Sequence, residues 1–282
     1  MLIGAGIFFT EYSAKPEKLG KALEERGFES LWAPEHSHIP LSRVSLMPAG
    51  VELPKKYYDV MDPFVTLSAA VVATTSLKVA TGICLVAQRD PIQTAKLVAS
   101  IDQLSNGRFM FGVGSGWNAE EMANHGTEFR TRHQLVQERV EAMKAIWLSA
   151  EPEYHGEMVD FPPMIAQPKP LQKPHPPVHV GGNFPYGAQR AVAYGDGWMP
   201  HIRRPNYPDV TDFLQEFHEM AREAGRDPES LPVTIWSTPR DIDTIRRFQD
   251  RGVSRVIAEL DSTELDVLLP ELDRWAELIS RF

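Results

Sequence analysis

The 282-residue sequence has a single cysteine, Cys84, so the chain cannot form an internal disulfide and fits a reducing compartment. It lacks any apolar run that approaches the roughly 18 to 20 residues of a membrane-spanning helix. The first ten residues, MLIGAGIFFT, lack a basic region and a small-residue cleavage site, so they indicate a strand rather than a signal peptide. We therefore expect a cytoplasmic protein without a membrane partner.

An excess of positive charge is also missing. The 29 Lys and Arg residues are outnumbered by 38 Asp and Glu residues, which gives a formal net charge of -9. Domains that bind nucleic acid usually carry a basic patch, so we expect no nucleic-acid partner. Hydrophobic residues make up 43% of the chain, which is enough to bury a large core. This composition is typical of a globular enzyme.

Strand-like apolar runs alternate with amphipathic helical segments along the whole chain. The strand runs are rich in Val, Ile and Phe without polar alternation, which favours a parallel sheet covered on both faces. The length and the rhythm predict one α/β domain, residues 1–282, folded as a (β/α)8 TIM barrel with long insertions at the carboxyl-terminal face; a doubly wound open sheet is the alternative. The predicted strands are 3–9, 30–34, 79–85, 108–113, 178–181, 197–200, 233–237 and 254–259, and the predicted helices are 15–26, 62–75, 92–104, 130–148, 186–194, 208–224, 241–251 and 264–280.

Two segments are too long to be simple connections between a strand and a helix. Residues 36–61 contain the runs HSH and LPKKYY, and residues 151–177 contain eight prolines. Long loops at the carboxyl-terminal face of a barrel shape its substrate pocket, whereas other long segments are irregular insertions facing solvent. We favour a role at the pocket for the first segment and a surface insertion for the second.

Polar residues follow several predicted strands at the point where each strand ends. A barrel would gather them around one mouth. Glu35 and Glu259 are placed either to accept a proton or to anchor a loop amide. His179 lies within a strand and is read as a core histidine, and Cys84 as a small core residue because no motif places a base beside it. The residues at the strand ends are Glu35, His36, Gly82, Ile83, Cys84, Trp117, Asn118, Gly181, Gly182, Asn183, His201 and Glu259.

The triplet His36-Ser37-His38 raises the alternative of a metal-dependent hydrolase. In such barrels an H-x-H pair lies on the first strand and is joined by ligands from later strands. Here the pair follows the second strand, and neither the first nor the fourth strand supplies a further ligand. The sequence therefore predicts no metal site.

Two glycine-rich turns follow predicted strands and suit a bound ligand. Gly181-Gly182-Asn183 is followed within a few residues by a helix, so free backbone amides and the helix dipole would face a phosphate. The alternative is an Asn-assisted turn into that helix. The run Gly114-Ser115-Gly116-Trp117-Asn118 would let backbone amides approach a ligand, or would be a plain tight turn.

Three stretches of the chain carry motifs that occur together in one superfamily. They are FESLWAPEHSHIP, the run from DPFVTLSAA to FGVGSGWNAEEM, and PPVHVGGNFPYGAQRAVAYGDGWMP. With these stretches the sequence resembles the luciferase-like monooxygenase superfamily, and most closely the actinobacterial branch of oxidoreductases that use the deazaflavin coenzyme F420. The resemblance covers residues 3 to about 203. Its motifs are specific for the superfamily and much less so for the cofactor or the substrate.

The resemblance implies roles for particular residues. Glu35 and His36 match an acidic residue and a histidine beside the central ring of the flavin, and the Gly82–Ile83 bond matches a cis peptide that supports the ring from behind. Known deazaflavin dehydrogenases carry a carboxylate directly after the glycine of strand four, where this chain has Trp117. The resemblance therefore does not identify the proton donor. His36 is our first choice because histidine ordinarily titrates at about pH 6.5. The other candidates are His38, Glu121 and His125, and the implied cofactor contacts are Gly82, Ile83, Gly116, Trp117, Asn118, Gly181, Gly182 and Asn183.

The resemblance further implies hydride transfer between coenzyme F420 and a small organic substrate. One alternative is an FMN-dependent monooxygenase that uses a separate reductase; another is a non-catalytic flavin-binding barrel. A homodimer is expected, and a flavin or F420 reductase is the expected macromolecular partner. The acidic oligoglutamate tail of F420 would contact basic residues of the loops, and the alternative is that these residues only face solvent. They are Arg43, Lys55, Lys56, Arg203 and Arg204.

Overall fold

The computed structural model describes residues 1–42, 44–45, 47, 52–202 and 209–282. Strands and helices alternate throughout these ranges. The strands are β1 (Leu2–Gly6), β2 (Ser30–Ala33), β3 (Lys78–Thr81), β4 (Cys84–Leu85), β5 (Phe109–Gly114), β6 (Tyr154–His155), β7 (Asp160–Phe161), β8 (Val178–Gly181), β9 (Gly197–Met199), β10 (Thr234–Trp236) and β11 (Arg255–Glu259). The α-helices are α1 (Pro16–Glu25), α2 (Pro63–Ala73), α3 (Pro91–Leu104), α4 (Ala119–Asn124), α5 (Arg132–Leu148), α6 (Tyr186–Tyr194), α7 (Leu214–Glu223), α8 (Ile242–Asp250) and α9 (Leu265–Ile279).

Eight parallel strands close into a barrel. Their hydrogen-bonded order is β10-β11-β1-β2-β3-β5-β8-β9. The two ends of this order meet through parallel bridges that pair Trp198 with Val233 and His201 with Trp236. At this seam the Trp236 amide donates to the Pro200 carbonyl over 2.9 Å. The predicted (β/α)8 barrel is confirmed, and the open-sheet alternative is wrong.

The third barrel strand differs from its prediction. Residues 79–85 were expected to form one continuous strand, but the strand is interrupted between β3 and β4 by a cis peptide between Gly82 and Ile83. This is the bond at which the resemblance implies a cis peptide. The segment β4 still pairs in parallel with β5. The short helix α4 and the β6–β7 hairpin were not predicted, since each is too short to show a hydrophobic period.

The helices α2 and α3 each begin at an Asp-Pro pair. The Asp62 carboxylate accepts hydrogen bonds from the backbone amides of Phe64 and Val65, at 2.8 and 3.1 Å. Asp90 caps α3 in the same way by accepting from Gln93 N at 2.8 Å. The proline that follows each cap has no amide hydrogen to leave unpaired, so it fits the first helical position. These caps fix where α2 and α3 leave the rim of the barrel.

The interior of the barrel is filled by side chains, so the barrel is a packed core and not a channel. Apolar side chains form one cluster there, and the buried polar residues His179 and Arg255 pack against its Trp32. A second and larger set of apolar side chains packs between the strands and the surrounding helices. No helix in the described ranges is both long and apolar enough to cross a membrane. The apolar cluster inside the barrel consists of Trp32, Ala80, Met110, Met199, Trp236 and Ile257.

The two long segments differ in their relation to the carboxyl-terminal rim of the barrel. The first follows β2 and contains a 3-10 turn at Lys55–Tyr57, whose last residue lines a cavity at the carboxyl-terminal rim. The second contacts the carboxyl-terminal part of α3 and the start of β5: Gln172 Nε2 donates to the Phe109 carbonyl over 2.7 Å. The insertion also contacts the first half of α5, where the Met158 amide donates to Glu138 over 2.7 Å, and none of its residues lines the cavity. It is therefore a surface insertion, as favoured from the sequence, and the expected placement of long insertions at the carboxyl-terminal face is wrong for this segment.

Candidate functional site

A cavity of about 690 Å³ opens at the carboxyl-terminal rim of the barrel, and residues that follow or end all eight barrel strands line it. Most of the predicted site residues meet there, which follows from the shared direction of parallel strands. Two of them, His38 and Asn118, are not among the residues that line the cavity. The predicted residues that do line it are Glu35, His36, Gly82, Ile83, Gly116, Trp117, Gly181, Gly182 and Asn183.

His36 is buried at one side of the cavity and is held by a carboxylate. Its Nδ1 lies 2.8 Å from Oε2 of Glu121, a side chain with no exposed surface. The other oxygen of Glu121 accepts a hydrogen bond from the Ser37 amide over 3.2 Å. Because a carboxylate only accepts hydrogen bonds, Nδ1 carries a proton, and the second ring nitrogen of a neutral His36 is then an acceptor.

Two aromatic side chains fix the orientation of the His36 ring. The centroid of the Tyr57 ring is 5.4 Å from that of His36, and the centroid of Trp117 is 5.9 Å away in an edge-on arrangement. Both aromatic residues line the cavity. The imidazole therefore presents one nitrogen to Glu121 and is held in place by two neighbouring rings, which is the arrangement of a positioned acid or base.

Glu35 is occupied by structural contacts. One of its oxygens accepts from the Leu85 amide over 2.7 Å, and the other accepts from Nε of Arg89 over 2.6 Å. Arg89 also pairs with Asp62. These contacts support the loop-anchoring alternative for Glu35 over the catalytic assignment, because the carboxylate holds β4 in place and its charge is balanced by a guanidinium.

His38 lies outside the cavity, so the assignment of a catalytic role to it is not supported. Its Nδ1 is 2.9 Å from the Ser37 hydroxyl, and its Nε2 is 2.8 Å from Nδ2 of Asn124. The ring packs beside His125, with centroids 5.5 Å apart. The two histidines of the H-x-H triplet thus contact different partners. Within the described ranges, no group of three or more His, Cys, Asp or Glu residues is arranged to hold a metal ion.

Asn118, predicted as a cofactor contact, is a helix cap and does not line the cavity. Its side-chain oxygen accepts a hydrogen bond from the Glu121 amide over 3.1 Å, so it fixes the start of α4. The side chain is buried away from the cavity. By fixing α4, Asn118 also places the Glu121 carboxylate beside His36, so its role in the site is indirect.

The opposite side of the cavity is positively charged. Arg132 and Arg190 both line it. Neither guanidinium has a carboxylate partner among the described residues, and Nε of Arg132 is buried without any hydrogen bond there. Burial lowers the pKa of both, and in Arg132 the charge of Arg190 adds to the effect. Two half-buried positive charges without a counter-charge form a site for an anion.

A neutral histidine and a serine complete the positive side. Ser115 Oγ lies 2.8 Å from Nδ1 of His133 in the first turn of α5. Burial, together with the charges of Arg190 and Arg132, lowers the pKa of His133 to about 4. His133 is therefore uncharged at neutral pH, and an anion bound between these groups would make its protonation easier.

The glycine-rich loop after β8 faces the same side. Gly182 has a φ of 139°, a conformation that side chains other than glycine rarely adopt. The loop is held by the indole of Trp198, which donates to the Gly182 carbonyl over 2.8 Å. Oδ1 of Asn183 is buried with no partner among the described residues. The start of α6 packs against this loop, and the first residues of α5 line the same cavity, so two helix dipoles add to the positive potential.

The sequence prediction missed the residues of this positive side. Ser115, Arg132, His133 and Arg190 belong to a turn and to the first half of two helices, where charged residues ordinarily face solvent. One signal was available: these residues lie in the turn and the helices that follow β5 and β8, the two strands whose glycine-rich turns the sequence did single out. Only the packing of α5 against α6 brings them together.

The basic residues proposed to meet an acidic tail are paired where the structure describes them. Lys55 contacts the Asp59 carboxylate, and Lys56 lies 2.9 Å from Oε1 of Glu259. Burial alone would raise the pKa of Glu259, but the hydrogen bond and charge of Lys56 lower it. The other three predicted residues, Arg43, Arg203 and Arg204, lie outside the described residues.

Sequence comparison places these features in a known family. The profile of the luciferase-like monooxygenase family matches residues 14–239. An uncharacterized protein of Mycobacterium tuberculosis is 34% identical over 98% of both chains. The F420-dependent hydroxymycolic acid dehydrogenase of the same species is 27% identical over 81% of this chain and 60% of its own length. The FMNH2-dependent dimethylsulfone monooxygenase of Pseudomonas putida is 37% identical, over 42% of this chain and 34% of its own.

Solved structures share the barrel over the whole chain. The monooxygenase RslO1 from Streptomyces bottropensis superposes with a TM-score of 0.81 at 18% identity, covering 100% of this chain and 99% of that one. An F420-dependent secondary alcohol dehydrogenase superposes with a TM-score of 0.76 at 21% identity, covering 99% of both chains. At these identities the likeness establishes the fold.

Proposed function

The chain belongs to the luciferase-like monooxygenase family, and from that premise we propose that it transfers a hydride between coenzyme F420 and a small organic substrate. The observation that carries the proposal is the polarity of the cavity. One side holds a buried histidine on a carboxylate, and the other side holds two arginines without a counter-charge. A cofactor with a reactive ring at one end and a phosphate at the other matches this arrangement.

The residues of the positive side fit the phosphate of a flavin-type cofactor. Arg132 and Arg190 supply charge, and Nε of Arg132 is a buried donor without a partner among the described residues. The Gly181–Gly182 backbone leaves room that a side chain would fill, because a Cβ on Gly182 would lie 2.9 Å from the Arg190 guanidinium. These four residues would hold the phosphate, with the amino-terminal ends of α5 and α6 behind them.

The ring system would be held between the phosphate side and His36. The residues available there are Ile83, Gly116 and Trp117, which line the cavity between the two sides. When bound, F420 supplies a carbon that accepts or donates a hydride. The protein holds the substrate, excludes water and moves the proton that accompanies the hydride.

We assign the proton transfer to His36 and the positioning of His36 to Glu121. In the direction of alcohol oxidation, the ring nitrogen of His36 that Glu121 leaves free accepts the hydroxyl proton of the substrate. The Glu121 carboxylate then stabilises the imidazolium that forms. The role of Glu121 requires its charge, so Glu121→Gln should lower kcat by about tenfold or more and alter the pH profile of kcat.

The choice of F420 over FMN rests on the length of the sequence similarity. The F420-dependent relative matches 81% of the chain, whereas the FMNH2-dependent relative matches 42% at higher identity. That second match makes an FMN-dependent monooxygenase with a separate reductase the runner-up. Both cofactors carry a phosphate, so the positive side of the cavity fits either one.

A homodimer is part of the proposal. Exposed apolar side chains lie on neighbouring helices: Val65 and Val72 on α2 are 71% and 72% exposed, and Leu104 on α3 is 59% exposed. A second copy of the chain would cover such a face. Light scattering of the purified protein tests this, and a monomer at micromolar concentration would contradict it.

The activity is tested by two parallel assays on the same preparation. In the first, the protein is mixed anaerobically with F420 and a panel of small alcohols, and with reduced F420 and the matching carbonyl compounds, while the deazaflavin absorbance is followed. In the second, FMNH2 and oxygen replace F420. Turnover in the first assay that is lost in His36→Ala supports the proposal. Turnover only in the second favours the runner-up, and cofactor binding without turnover in either favours a non-catalytic flavin-binding barrel.

A further inference from the structure

A second and smaller cavity adjoins the site on the side away from the arginines. It has a volume of about 280 Å³ and is lined by Lys56, Ser237, Thr238, Glu259 and Asp261; we call it the side chamber. Glu259 lines both the side chamber and the main cavity. The two cavities thus meet at Glu259, and a molecule whose reacting carbon lies near His36 would have to pass this side chain to place a polar group in the side chamber.

A continuous wall of side chains leads from His36 to the side chamber. The Tyr57 ring lies 5.4 Å from His36 and 4.5 Å from the Phe8 ring. Nζ of Lys56 lies 4.9 Å from the centroid of Phe8 and 2.9 Å from Oε1 of Glu259. The wall is aromatic beside the proposed reaction centre and ends in an ion pair, so it fits a substrate with an apolar middle and a polar end.

The ion pair has unused hydrogen-bonding capacity. Glu259 accepts from Lys56 and, through Oε2, from the Ser237 hydroxyl over 2.7 Å. A carboxylate has about four acceptor positions and an ammonium has three donors. Each partner can therefore make a further hydrogen bond, one as acceptor and one as donor. Ser237 reaches Glu259 from a positive φ of 64°, which is uncommon for a residue other than glycine.

From this geometry we infer that the side chamber binds a hydroxyl group of the substrate, which donates to Glu259 and accepts from Lys56. The substrate class is then a molecule with a second hydroxyl beyond the reacting carbon. The described walls carry one ammonium and two carboxylates, since Asp261 faces the chamber as well, so an anionic group is repelled. An ammonium group only donates hydrogen bonds, so it cannot accept from Lys56 and would place a like charge beside it, whereas a hydroxyl can both donate and accept. This inference rests on the proposed function for the place of the reacting carbon.

The inference is tested with four cyclohexane probes that share one skeleton. They are cyclohexanol and its derivatives with a hydroxyl, a carboxylate or an ammonium group on the opposite ring carbon. Affinity is measured by saturation-transfer NMR with the protein alone, so no turnover is needed. The diol should bind about tenfold or more tightly than cyclohexanol, because each of the two added hydrogen bonds to a charged group contributes about that factor or more.

Variants assign the gain to the ion pair. Glu259→Gln and Lys56→Gln should each remove most of the preference for the diol and leave the affinity for cyclohexanol within about twofold. Glu277→Gln, a matched change on the exposed face of α9, should leave both affinities unchanged. Melting temperatures report whether each variant is folded, and two variants keep the test valid if one of them is not.

Three results would overturn the inference. The first is that the diol binds no better than cyclohexanol. The second is that the carboxylate or ammonium derivative binds best. The third is that both substitutions weaken the binding of cyclohexanol as much as that of the diol. An F420 titration of the same samples tests the proposed function separately. Loss of the diol preference with intact F420 binding refutes only the side-chamber assignment, whereas a diol preference without F420 binding refutes only the proposed cofactor.

Discussion

Substitution of Arg190 by glutamine should weaken cofactor binding without weakening the fold. Arg190 has no carboxylate partner among the described residues, and it lowers the pKa of both Arg132 and His133. Its charge is therefore unfavourable in the empty protein and favourable only when an anion is bound. Arg190→Gln should leave the melting temperature unchanged or raise it, because a repulsion between like charges and a desolvated charge are both removed.

The size of the binding effect follows from the contact that is lost. Two unit charges 4 Å apart attract by about 4 kcal/mol at an effective dielectric of 20. The open mouth of the cavity and the salt of the buffer reduce this, and hydrogen bonds to charged groups contribute roughly 1.5 to 3 kcal/mol in proteins. The dissociation constant of the cofactor should therefore rise by about ten- to a hundredfold, measured by quenching of tryptophan fluorescence.

Arg226 provides a matched control with the opposite behaviour. Its Nη1 donates to the carbonyls of Val192 and Gly195, over 2.9 and 2.7 Å, so it holds the end of α6 and does not line the cavity. Arg226→Gln should lower the melting temperature by several degrees and leave cofactor affinity within about twofold. If Arg190→Gln instead lowers stability as much as Arg226→Gln does and leaves binding intact, the positive side of the cavity is structural and the phosphate assignment fails.

Three further predictions concern histidines and the buried ion pair. His36→Ala should lower kcat by about 100- to 10,000-fold in steady-state assays, while His38→Ala changes it less than twofold because His38 lies outside the cavity; equal losses would contradict the assignment. Glu35→Gln should lower the free energy of unfolding in urea by about 3 kcal/mol, since it leaves Arg89 without its most buried partner, and a loss below about 1 kcal/mol would refute the anchoring role. Burial and the charge of Arg255 lower the pKa of His179 to about 3, so the unfolded chain binds its proton first and stability falls as the pH drops from about 6.5 towards that value. His179→Gln should flatten this decline in denaturation curves, and an unchanged slope would show that other groups dominate acid unfolding.

The sequence predicted the barrel because its signals are local and repeated. The helix α6 was predicted at its observed bounds, Tyr186–Tyr194, since Pro185 precedes it and Gly195 follows it. The interruption at Gly82–Ile83 could not be read from periodicity, because residues 79–85 form an unbroken apolar run. The placement of the segment 151–177 was equally hidden, since it depends on contacts with α3 and β5 that join distant parts of the chain.

The site was predicted in position but only partly in composition. Strand ends brought His36 and the loop at Gly181 to one mouth, as parallel strands require. The spacing of residues along the sequence does not determine where a loop side chain points. His38 and Asn118 were therefore assigned to the site although neither lines the cavity. Arg190 was missed because a charged residue in an amphipathic helix ordinarily faces solvent. Only the packing of the helices places its side chain at the cavity.

The most direct test of the central claim is a competitive titration of the cofactor-free protein with F420 and FMN. Trp117 and Trp236 line the cavity, so a bound ring should quench tryptophan fluorescence, and the order of addition shows whether the two cofactors share one site. We predict that F420 binds at least about tenfold more tightly than FMN and displaces it. Tight binding of FMN that F420 cannot displace would contradict the assignment of this chain as an F420-dependent oxidoreductase.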